Sequence, residues 1–492
     1  MATFNPMILT DFYKQSHAPM YAPGTEQVYS TWTWRTSRME NIDAVVAYHF
    51  QGFIKEFLID YFNQNFFSVR KSTVVDGYHR LLKNSVGASP DNAARAEALW
   101  DLGYLPIAIH TVPEGTILPI RTPTAAFWNT NKEFFWLTNY IESLMSAEIW
   151  QPMTVATLAF GFRKLLTSWM KRTSGDPAAV MFQGHDFSFR GMAGCHAAAK
   201  AGAGHLLSFY GTDTFPAISY LEQYYNANSD KTLIGTSIPA SEHSVAESYG
   251  DINECEYFRH IIEDVYPNGF VSIVSDTWDF WKVISETVPA LKATILKRDG
   301  RLVIRPDSGD PVKIVCGDPG ASEECVRKGA IECLWDTFGG KISNGFKQLD
   351  PHIGLIYGDA ITWTRANTIC EKLAEKGFSS TNVVFGIGSY TYQYNTRDTF
   401  GGAVKSSMAV IDGKEVPMFK CPKTDNGVKK SQKGCSVVFQ NGTYQDGFTL
   451  AEACAHPDNM LQEVFRDGKL IREVSLEEIR ERLNTALKAQ TL

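Results

Sequence analysis

The sequence predicts an α/β protein in which a β/α barrel lies between two strand-rich chain ends. From about residue 180 to 390, apolar strand-like runs alternate with polar loops and helical patterns, which is typical of parallel β/α packing. Before residue 150 and after residue 390, shorter alternating runs are punctuated by Pro and Gly, as in antiparallel strands. These observations place the barrel in the middle of the chain.

The first 180 residues mix strands and helices. "EQVYSTWTW" (26–34) is strand-like, whereas "AYHFQGFIKEFLIDYF" (47–62) has helical periodicity. "LPIAIHTVPEGTILPIRTPTAAFW" (105–128) predicts antiparallel strands with tight turns. A long helical pattern follows, from about residue 133 to 174.

In the middle of the chain, a polar or glycine residue comes directly after each of several strand-like runs. These residues are Asp186, Asp276, Asp307, Asp359 and Gly388. In a β/α barrel the carboxyl ends of the strands converge on one mouth, so residues distant in sequence meet there. Helix capping is the alternative for any single Asp or Gly, but the repetition favours one shared site.

Residues 312–350 are predicted to form a helical insertion with charged edges. After residue 390 the chain is again strand-like, and "SLEEIRERLNTALKA" (475–489) predicts a terminal helix. The predicted domains are therefore 181–390 for the barrel, and 1–180 together with 391–492 for a β-rich domain.

Composition excludes several classes of protein. The 492 residues are 44% apolar and 21% charged, as in an ordinary globular protein, and the formal charge of −7 argues against non-specific nucleic-acid binding. No apolar run is long enough to span a membrane, and the N-terminus lacks the pattern of a secretory signal. Nine scattered cysteines without a CxxC pair are typical of reduced thiols. We therefore expect a cytoplasmic protein that binds neither nucleic acid nor membrane.

The loop in "RLVIRPDSGDP" (301–311) carries groups that recognise phosphates and hydroxyls. The Arg305 guanidinium matches a phosphate bidentately, and the Asp307 carboxylate can hold sugar hydroxyls or a magnesium ion that bridges phosphates. "IYGDAITWT" (356–364) and "FGIGSYTYQ" (385–393) place glycines between a strand and a helix, where phosphates bind readily. Neither loop matches the P-loop or dinucleotide-binding pattern, so a phosphorylated ligand is predicted without a nucleotide-binding motif.

Two further segments carry candidate chemistry. In "IPASEHSV" (238–245), His243 beside Glu242 could act as a base, a nucleophile or a metal ligand, or could instead be a capping or buried structural histidine. In "GHDFSFRG" (184–191), Phe187, Phe189 and Arg190 suit a stacked planar ring, and core packing of both phenylalanines is the alternative.

Taken together, nine motifs resemble the nicotinate/nicotinamide phosphoribosyltransferase family in order and spacing, and the resemblance covers nearly the whole chain, from about residue 8 to about 480. They are "TDFYK", "HDFSFRG", "YGTDT", "IPASEHS", "VSDTWD", "IRPDSGDP", "IYGDAI", "FGIGS" and "NTRD". The resemblance implies transfer of 5-phosphoribosyl from phosphoribosyl pyrophosphate to nicotinamide, giving nicotinamide mononucleotide and pyrophosphate for NAD biosynthesis. It further implies Mg²⁺, ATP hydrolysis through a phosphohistidine, and a homodimer with shared active sites. The implied fold is an irregular type II phosphoribosyltransferase barrel beside a β-rich domain built from both chain ends.

The resemblance also implies roles for individual residues. His243, Asp276 and Asp307 would be catalytic, and the two aspartates would hold the metal directly, through water or through substrate phosphates. Phe187 and the partner subunit's Tyr13 would sandwich the nicotinamide ring. The other implied substrate contacts are Arg190 at the ring and ribose phosphate, Asp213 at the carboxamide, Arg305 at the ribose and pyrophosphate, Gly358, Asp359 and Gly388 at the 5-phosphate, and Arg35, Arg397, Lys405, Lys420 and Lys429 as basic residues from the partner subunit.

Asp213 favours the amide over the acid. A nicotinate carboxylate about 4 Å from Asp213 would be repelled by about 4 kcal/mol at an effective dielectric constant of about 20, or roughly a thousandfold in affinity. The alternative within the same architecture is a nicotinate phosphoribosyltransferase. A magnesium-dependent barrel lyase or aldolase and an inactive scaffold dimer are alternatives of other classes. The first would need a barrel lysine or a carboxylate cluster, and the second would be expected to have lost some of these site residues.

Overall fold

The computed structural model describes residues 4–85, 90–424 and 431–489. In chain order, its strands are β1 (Thr25–Trp34), β2 (Ala44–Val46), β3 (Ile107–Thr111), β4 (Ile117–Pro119), β5 (Pro123–Asn129), β6 (Gly184–Asp186), β7 (Gly211–Thr212), β8 (Asn268–Val274), β9 (Asp299–Arg305), β10 (Gly340–Ser343), β11 (Phe346–Leu349), β12 (Ile353–Tyr357), β13 (Val383–Ile387), β14 (Gly402–Ile411), β15 (Lys414–Pro417), β16 (Cys435–Val438), β17 (Tyr444–Phe448), β18 (Gln462–Arg466) and β19 (Lys469–Leu470).

The α-helices, in the same order, are α1 (Phe50–Phe53), α2 (Lys71–Ser85), α3 (Pro90–Leu102), α4 (Leu137–Tyr140), α5 (Glu142–Arg172), α6 (Val180–Gln183), α7 (Cys195–His205), α8 (Pro216–Tyr224), α9 (His243–Glu247), α10 (Glu254–His260), α11 (Phe280–Lys282), α12 (Val288–Ala290), α13 (Lys292–Lys297), α14 (Pro311–Cys316), α15 (Glu324–Lys328), α16 (Ala330–Phe338), α17 (Trp363–Glu375), α18 (Ser389–Tyr392), α19 (Leu450–Ala455) and α20 (Leu476–Ala489). No helix in the described ranges combines the length and the apolar character that a membrane crossing requires.

The chain forms two compact units. The N/C unit comprises the described residues of Met1–Thr157, Tyr220–Ala227 and Asn395–Lys488, and the central unit comprises Leu158–Ser219 and Asn228–Tyr394. The domain boundaries expected from the sequence, between residues 180 and 181 and between residues 390 and 391, remain a prediction.

The N/C unit is built on a seven-stranded antiparallel sheet in the order β15-β14-β1-β5-β3-β18-β19. Its interior strand β1 comes from the start of the chain, whereas the neighbouring strand β14 comes from near the end. Every residue of β1 from Val28 to Trp34 is buried, because both faces of the strand are covered. The β-rich character predicted for both chain ends is therefore present.

The central unit contains a six-stranded, wholly parallel sheet in the order β7-β6-β13-β12-β9-β8. The segment 236–241 connects its two edges. Thr236 bridges Gly211 of β7, and Ala240 bridges Ser272 of β8, both in parallel. This short segment closes the sheet into a barrel without forming a full strand, which is why the barrel is irregular. The predicted α/β fold with an irregular barrel is confirmed.

The register of the parallel sheet aligns the carboxyl ends of its strands. Val274 pairs with Arg305, Tyr357 with Phe385, Ile387 with Asp186, and Asp186 with Thr212. The residues that follow these positions therefore emerge along one edge of the barrel, which is the edge the sequence pattern predicted.

The insertion predicted as helical is only partly so. Helices α14, α15 and α16 lie within or at the start of 312–350, but β10 and β11 then form an antiparallel hairpin. Its turn is Asn344-Gly345, and both residues have positive φ angles, 47° and 84°. Asn-Gly is the dipeptide that favours such a two-residue turn, because both residues tolerate this backbone conformation. The prediction of helix through residue 350 was wrong for this hairpin.

Candidate active site

At one side of the barrel mouth, Asp213 is held by two hydrogen-bond donors. His185 Nε2 lies 3.0 Å from Asp213 Oδ1, and the Ser237 hydroxyl donates to the same oxygen at 2.5 Å. Because a carboxylate oxygen only accepts, the proton of His185 lies on Nε2. The Asp213 backbone N–H donates to the Asp186 carbonyl, which ties this residue to the end of β6.

Opposing influences act on the pKa of Asp213. Burial raises the pKa, but the hydrogen bond and charge of His185, the hydrogen bond from Ser237 and the charge of Arg305 outweigh burial, so that the pKa is lowered overall. The carboxylate is therefore ionised at neutral pH. Its second oxygen, Oδ2, has no hydrogen-bond partner within the described ranges and is available to accept one from a ligand. Asp213 and Ser237 also line a cleft of about 420 Å³ with Thr212, Phe215, Ile218, Gly235 and Thr236.

The ring of Phe187 rests on two glycines of neighbouring strands. A Cβ built on Gly358 would lie 2.6 Å from the Phe187 ring, and one built on Gly386 would overlap the same ring. Either glycine therefore lets the aromatic ring lie against the backbone of the barrel. The Phe187 N–H donates to the Ile387 carbonyl at 3.0 Å, which fixes the residue to the end of β13. This backing orients one face of the ring and leaves Phe187 half-buried.

Asp276 organises the loop that follows β9. Its Oδ2 atom accepts hydrogen bonds from the Asp307 N–H at 2.9 Å and from the Ser308 hydroxyl at 2.5 Å. Its Oδ1 atom is buried and has no hydrogen-bond partner among the described residues. A buried carboxylate oxygen without a donor is costly, so this atom is suited to a cation or a ligand proton.

His243 faces the two carboxylates. Its Nε2 atom lies 3.9 Å from Asp276 Oδ1 and 3.9 Å from Asp307 Oδ2, while its Nδ1 atom lies 3.1 Å from the Thr277 hydroxyl. The histidine begins helix α9 directly after the barrel-closing segment 236–241. Its imidazole is 42% exposed, so that it remains accessible to a ligand.

Arg305 joins this carboxylate group from the end of β9. Its Nη2 atom donates to the Ser241 carbonyl at 2.9 Å, and its Nη1 atom lies 3.4 Å from Asp307 Oδ1. Burial raises the pKa of Asp307; Asp276 and Asp359 act in the same direction, while Arg305 and His243 oppose them. Asp307 is thus a carboxyl group with two acidic and two basic neighbours, an arrangement suited to binding a cation.

The glycine-containing loops lie at the same edge. Gly358 and Asp359 follow β12, and a Cβ on Gly358 would lie 3.7 Å from Asp307 Oδ1. Gly388 precedes α18, where its carbonyl accepts from the Thr391 and Tyr392 N–H groups. Arg190 lies on the turn Phe189–Gly191 and is exposed.

The central unit therefore brings together ten of the residues predicted for the site. They are Phe187, Arg190, Asp213, His243, Asp276, Arg305, Asp307, Gly358, Asp359 and Gly388. Their roles remain predictions, but the strand ends and contacts above place them along one mouth.

Five other predicted residues belong to the N/C unit. Tyr13 is 60% exposed on the turn Phe12–Ser16. The basic residues Arg35, Arg397, Lys405 and Lys420 form an electrostatic cluster, since burial lowers the pKa of Lys405 and the three other charges lower it further, against Glu142. Lys429 lies outside the described residues.

Some residues that shape the site have no recognisable pattern of their own in the sequence. Ser237 lies directly before the motif noted for its histidine, and Ser241 lies within it. The Ser237 hydroxyl binds Asp213, and the Ser241 carbonyl binds Arg305. The Tyr357 hydroxyl donates to the carbonyls of Ser308 and Gly309, which holds the acidic loop against β12. These contacts depend on the strand register and leave no local pattern in the sequence.

The described part of the chain contains no group of three or more His, Cys, Asp or Glu side chains arranged to hold a metal ion. Asp276 and Asp307 could still hold magnesium, because this ion is usually bound by one or two carboxylates together with water and substrate phosphates. The unpartnered Asp276 Oδ1 atom fits that role. The mouth thus combines a cation-binding pair, a guanidinium, an aromatic face and an ionised acceptor.

Comparisons with known proteins agree with this arrangement. Residues 182–469 match the model of the nicotinate phosphoribosyltransferase (NAPRTase) family. The chain is 47% identical to a nicotinamide phosphoribosyltransferase of Acinetobacter baylyi, covering 99% of this chain and 98% of that one. It is 32% identical to one of Xanthomonas campestris pv. campestris, covering 98% of each.

Solved structures share the fold at low sequence identity. Nicotinate-nucleotide pyrophosphorylase from Pyrococcus furiosus superposes with a TM-score of 0.54 at 14% identity over 100% of both chains. Human nicotinic acid phosphoribosyltransferase gives a TM-score of 0.52 at 13% identity, covering 98% of this chain and 94% of that one.

Proposed function

This chain belongs to the nicotinate phosphoribosyltransferase family, and we propose that it is a nicotinamide phosphoribosyltransferase of NAD biosynthesis. The enzyme is a pentosyltransferase that joins nicotinamide to the 5-phosphoribosyl group of phosphoribosyl pyrophosphate. The products are nicotinamide mononucleotide and pyrophosphate. Two curated relatives that cover nearly the whole chain carry this activity in their names.

The ionised Asp213 carboxylate is the observation that carries the choice of base. His185 and Ser237 both occupy Oδ1, so Oδ2 can accept a hydrogen bond from the carboxamide NH₂ of nicotinamide. Nicotinate would bring a second carboxylate to the same place, at a cost of about 4 kcal/mol for charges about 4 Å apart. The lowered pKa of Asp213 means that protonation does not relieve this repulsion near neutral pH.

The transfer depends on positioning and on charge neutralisation. Phe187 stacks on the pyridine ring, and the two glycines behind Phe187 fix the aromatic surface against which that ring is held. As the bond to pyrophosphate breaks, positive charge develops on the ribose and negative charge on the leaving group. Arg305 binds the leaving group and Asp307 the ribose hydroxyls, while the glycines at 358 and 388 accommodate the 5-phosphate. Bound between Asp276, Asp307 and the substrate, magnesium would supply further positive charge to the leaving pyrophosphate.

ATP activates the enzyme through His243. The γ-phosphoryl group passes to an imidazole nitrogen with loss of the proton, and ADP leaves. The phosphohistidine adds negative charge beside Asp276 and Asp307, which lie 3.9 Å from the imidazole. With magnesium held by Asp276 and Asp307, that charge would add to the attraction of the site for the cation and favour the complex with phosphoribosyl pyrophosphate.

A homodimer completes the site. The exposed Tyr13 and the basic cluster of Arg35, Arg397, Lys405 and Lys420 are surface groups of the N/C unit that suit an aromatic ring and phosphates respectively. Mixing two separately inactive variants, Tyr13→Ala and Phe187→Ala, should restore part of the activity through mixed dimers. Lack of recovery despite demonstrated subunit exchange would argue against shared sites.

The activity is tested by incubating the purified protein with phosphoribosyl pyrophosphate, magnesium and either nicotinamide or nicotinate, with and without ATP. We expect nicotinamide mononucleotide, more of it with ATP, and little product from nicotinate. A preference for nicotinate would reassign the base, and absence of either mononucleotide in all four reactions would overturn the proposal. The variant His243→Ala should retain a slow reaction that ATP no longer stimulates.

A further inference from the structure

A fully buried histidine, His205, links strand β7 to helix α18, the helix that follows β13. It is the last residue of α7, and its complete burial keeps it from contacting a ligand directly. Its Nε2 atom lies 2.9 Å from the Gly211 carbonyl, and its Nδ1 atom lies 2.7 Å from the Tyr392 hydroxyl. Both ring nitrogens are therefore engaged, by groups on opposite sides of the imidazole.

The two contacts define the tautomer. A backbone carbonyl only accepts, so the proton lies on Nε2 and points to Gly211. Nδ1 must then be the acceptor, and the Tyr392 hydroxyl donates to it. Burial lowers the pKa of His205 to about 4, against the opposing charge of Asp186 and the neighbouring carbonyls, so the imidazole is neutral near pH 7. A neutral ring with one donor and one acceptor matches its two partners without an unpaired hydrogen.

The two partners of His205 lie close in sequence to the residues proposed to bind the two ends of the substrate. Gly211 is in β7, which leads directly to Asp213, the proposed carboxamide acceptor. Tyr392 is the last residue of α18, which begins after Gly388 in the loop proposed for the 5-phosphate. Tyr392 is itself fully buried, and the Phe209 ring stacks on His205 with a centroid distance of 5.2 Å. The link is therefore rigid and sheltered from water.

We propose that His205 and Tyr392 are positioning residues that couple the base-binding end of the site to the phosphate-binding end. A phosphate bound at Gly388 fixes helix α18 with Tyr392 and, through His205, strand β7, which leads to Asp213. The base then binds to an acceptor that is already in place. This inference rests on the proposed function, because that function assigns the two ends their ligands.

The test measures how strongly one ligand favours the other. Ribose 5-phosphate supplies the 5-phosphate but cannot react, so nicotinamide affinity is measured by calorimetry with and without saturating ribose 5-phosphate. For the unaltered enzyme we expect nicotinamide to bind about fivefold tighter or more when ribose 5-phosphate is present, a typical coupling between sites. Tyr392→Phe keeps the ring and removes the donor, and it should reduce the enhancement to less than about twofold.

Tyr394→Phe is the matched control. It removes a hydroxyl two residues away from a side chain that is 79% exposed, and its enhancement should equal that of the unaltered enzyme. If Tyr392→Phe does not fold, His205→Gln replaces it, because the glutamine amide can still donate to Gly211 and loses the contact to Tyr392. A variant that is only less stable would have a lower unfolding midpoint but the same enhancement of nicotinamide binding by ribose 5-phosphate.

An equal enhancement in the enzyme and in a folded Tyr392→Phe variant would overturn the coupling alone. An unaltered enzyme that binds nicotinamide but shows no enhancement would overturn it as well. Failure of the unaltered enzyme to bind nicotinamide or make nicotinamide mononucleotide would instead remove the proposed function, and the coupling with it.

Discussion

Each of the two units of this protein is built on a large sheet. The two sheets differ in where the residues that follow their strands emerge. In the N/C unit, neighbouring strands run in opposite directions, so loops leave from both edges of the sheet. In the central unit all six strands run the same way, and the residues after them emerge along one edge. A parallel sheet thus gathers scattered polar side chains by topology alone.

Burial of charge differs in the same way. In the N/C unit, the buried carboxyl of Glu114 accepts from the Gln51 N–H at 2.6 Å and the His49 N–H at 3.1 Å, and so caps the start of a helix. In the central unit, one oxygen of the buried Asp276 carboxylate has no hydrogen-bond partner in the part of the chain that the structure describes. A satisfied buried acid stabilises a fold, whereas an unsatisfied one at a barrel mouth indicates a site for a ligand.

The largest effect should come from removing that unsatisfied acid. Asp276→Ala removes the acceptor for Asp307 and Ser308 and one carboxylate facing His243, so kcat/KM should fall by about a thousandfold or more, equivalent to about 4 kcal/mol. Asp279→Ala is the matched control: Asp279 caps helix α11 by accepting from the Trp281 and Lys282 N–H groups. It should cost about 1 kcal/mol of stability and leave activity unchanged. Steady-state kinetics and chemical unfolding of both variants make the comparison; similar losses of activity would contradict it.

The second-largest effect should be on the choice between nicotinamide and nicotinate. In Asp213→Asn the charge is removed while the shape is kept, so the ratio of kcat/KM for nicotinamide to that for nicotinate should fall by as much as about a thousandfold. The control Asp230→Asn changes an exposed carboxylate and should leave the ratio intact. Competition assays with both bases measure it. An unaltered preference in Asp213→Asn would remove this residue from base recognition.

The N/C unit should lose stability as the pH rises, whereas the central unit should lose stability as the pH falls. Burial raises the pKa of Glu114 to about 7 from 4.5, even though hydrogen bonds from Gln51, Tyr225, His49 and Phe50 oppose it. Because the pKa of Glu114 is raised in the folded state, its contribution to the free energy of unfolding is fully present below pH 4.5. That contribution, about 3 kcal/mol, is lost as the pH rises through 7. His205 in the central unit has a lowered pKa, so its contribution is present above pH 6.5 and is lost as pH falls toward 4.

Amide hydrogen exchange, followed separately in the two sheets between pH 4 and 8, measures these slopes. Protection of the antiparallel sheet should decline toward high pH, and protection of the parallel sheet toward low pH, after correction for the intrinsic exchange rate. Glu114→Gln should flatten the first slope and leave the second unchanged. Parallel slopes in both sheets would show that neither buried group governs its unit.

A smaller effect should follow from filling space behind the aromatic ring. Gly386→Ala places a methyl group where the Phe187 ring lies, so KM for nicotinamide should rise by about tenfold, with a smaller change for phosphoribosyl pyrophosphate. Gly77→Ala in helix α2 meets no atom within 4 Å and should stabilise the N/C unit by about 0.5–1 kcal/mol. Equal KM values for nicotinamide in the two variants would contradict the support assigned to Gly386.

Much of the central unit was predictable because its signals are local and repeated. Several of its strands are mainly apolar and are followed within two residues by Asp or Gly, and parallel topology then implies that Asp276, Asp307 and Asp359 share an edge. The β-rich ends were predictable from alternation, although the pairing of β1 with β14 joins residues about 380 positions apart and has no local signature.

What could not be predicted depends on register and on small groups. The donation from Tyr357 to the 308–309 loop, the two donors on Asp213 and the buried link through His205 all arise only once strands are aligned. The hairpin at 340–349 was missed because a hydrophobic helical run immediately before it masked the Asn344-Gly345 turn. Residue types at such positions are common, so their roles follow from geometry and not from composition.

A crystal structure of the protein with nicotinamide mononucleotide tests the central claim most directly. We expect the pyridine ring to stack on Phe187, the carboxamide nitrogen to lie within hydrogen-bonding distance of Asp213, and the 5-phosphate to lie beside Gly388. Nicotinamide mononucleotide bound elsewhere, or bound here with its carboxamide turned away from Asp213, would contradict it.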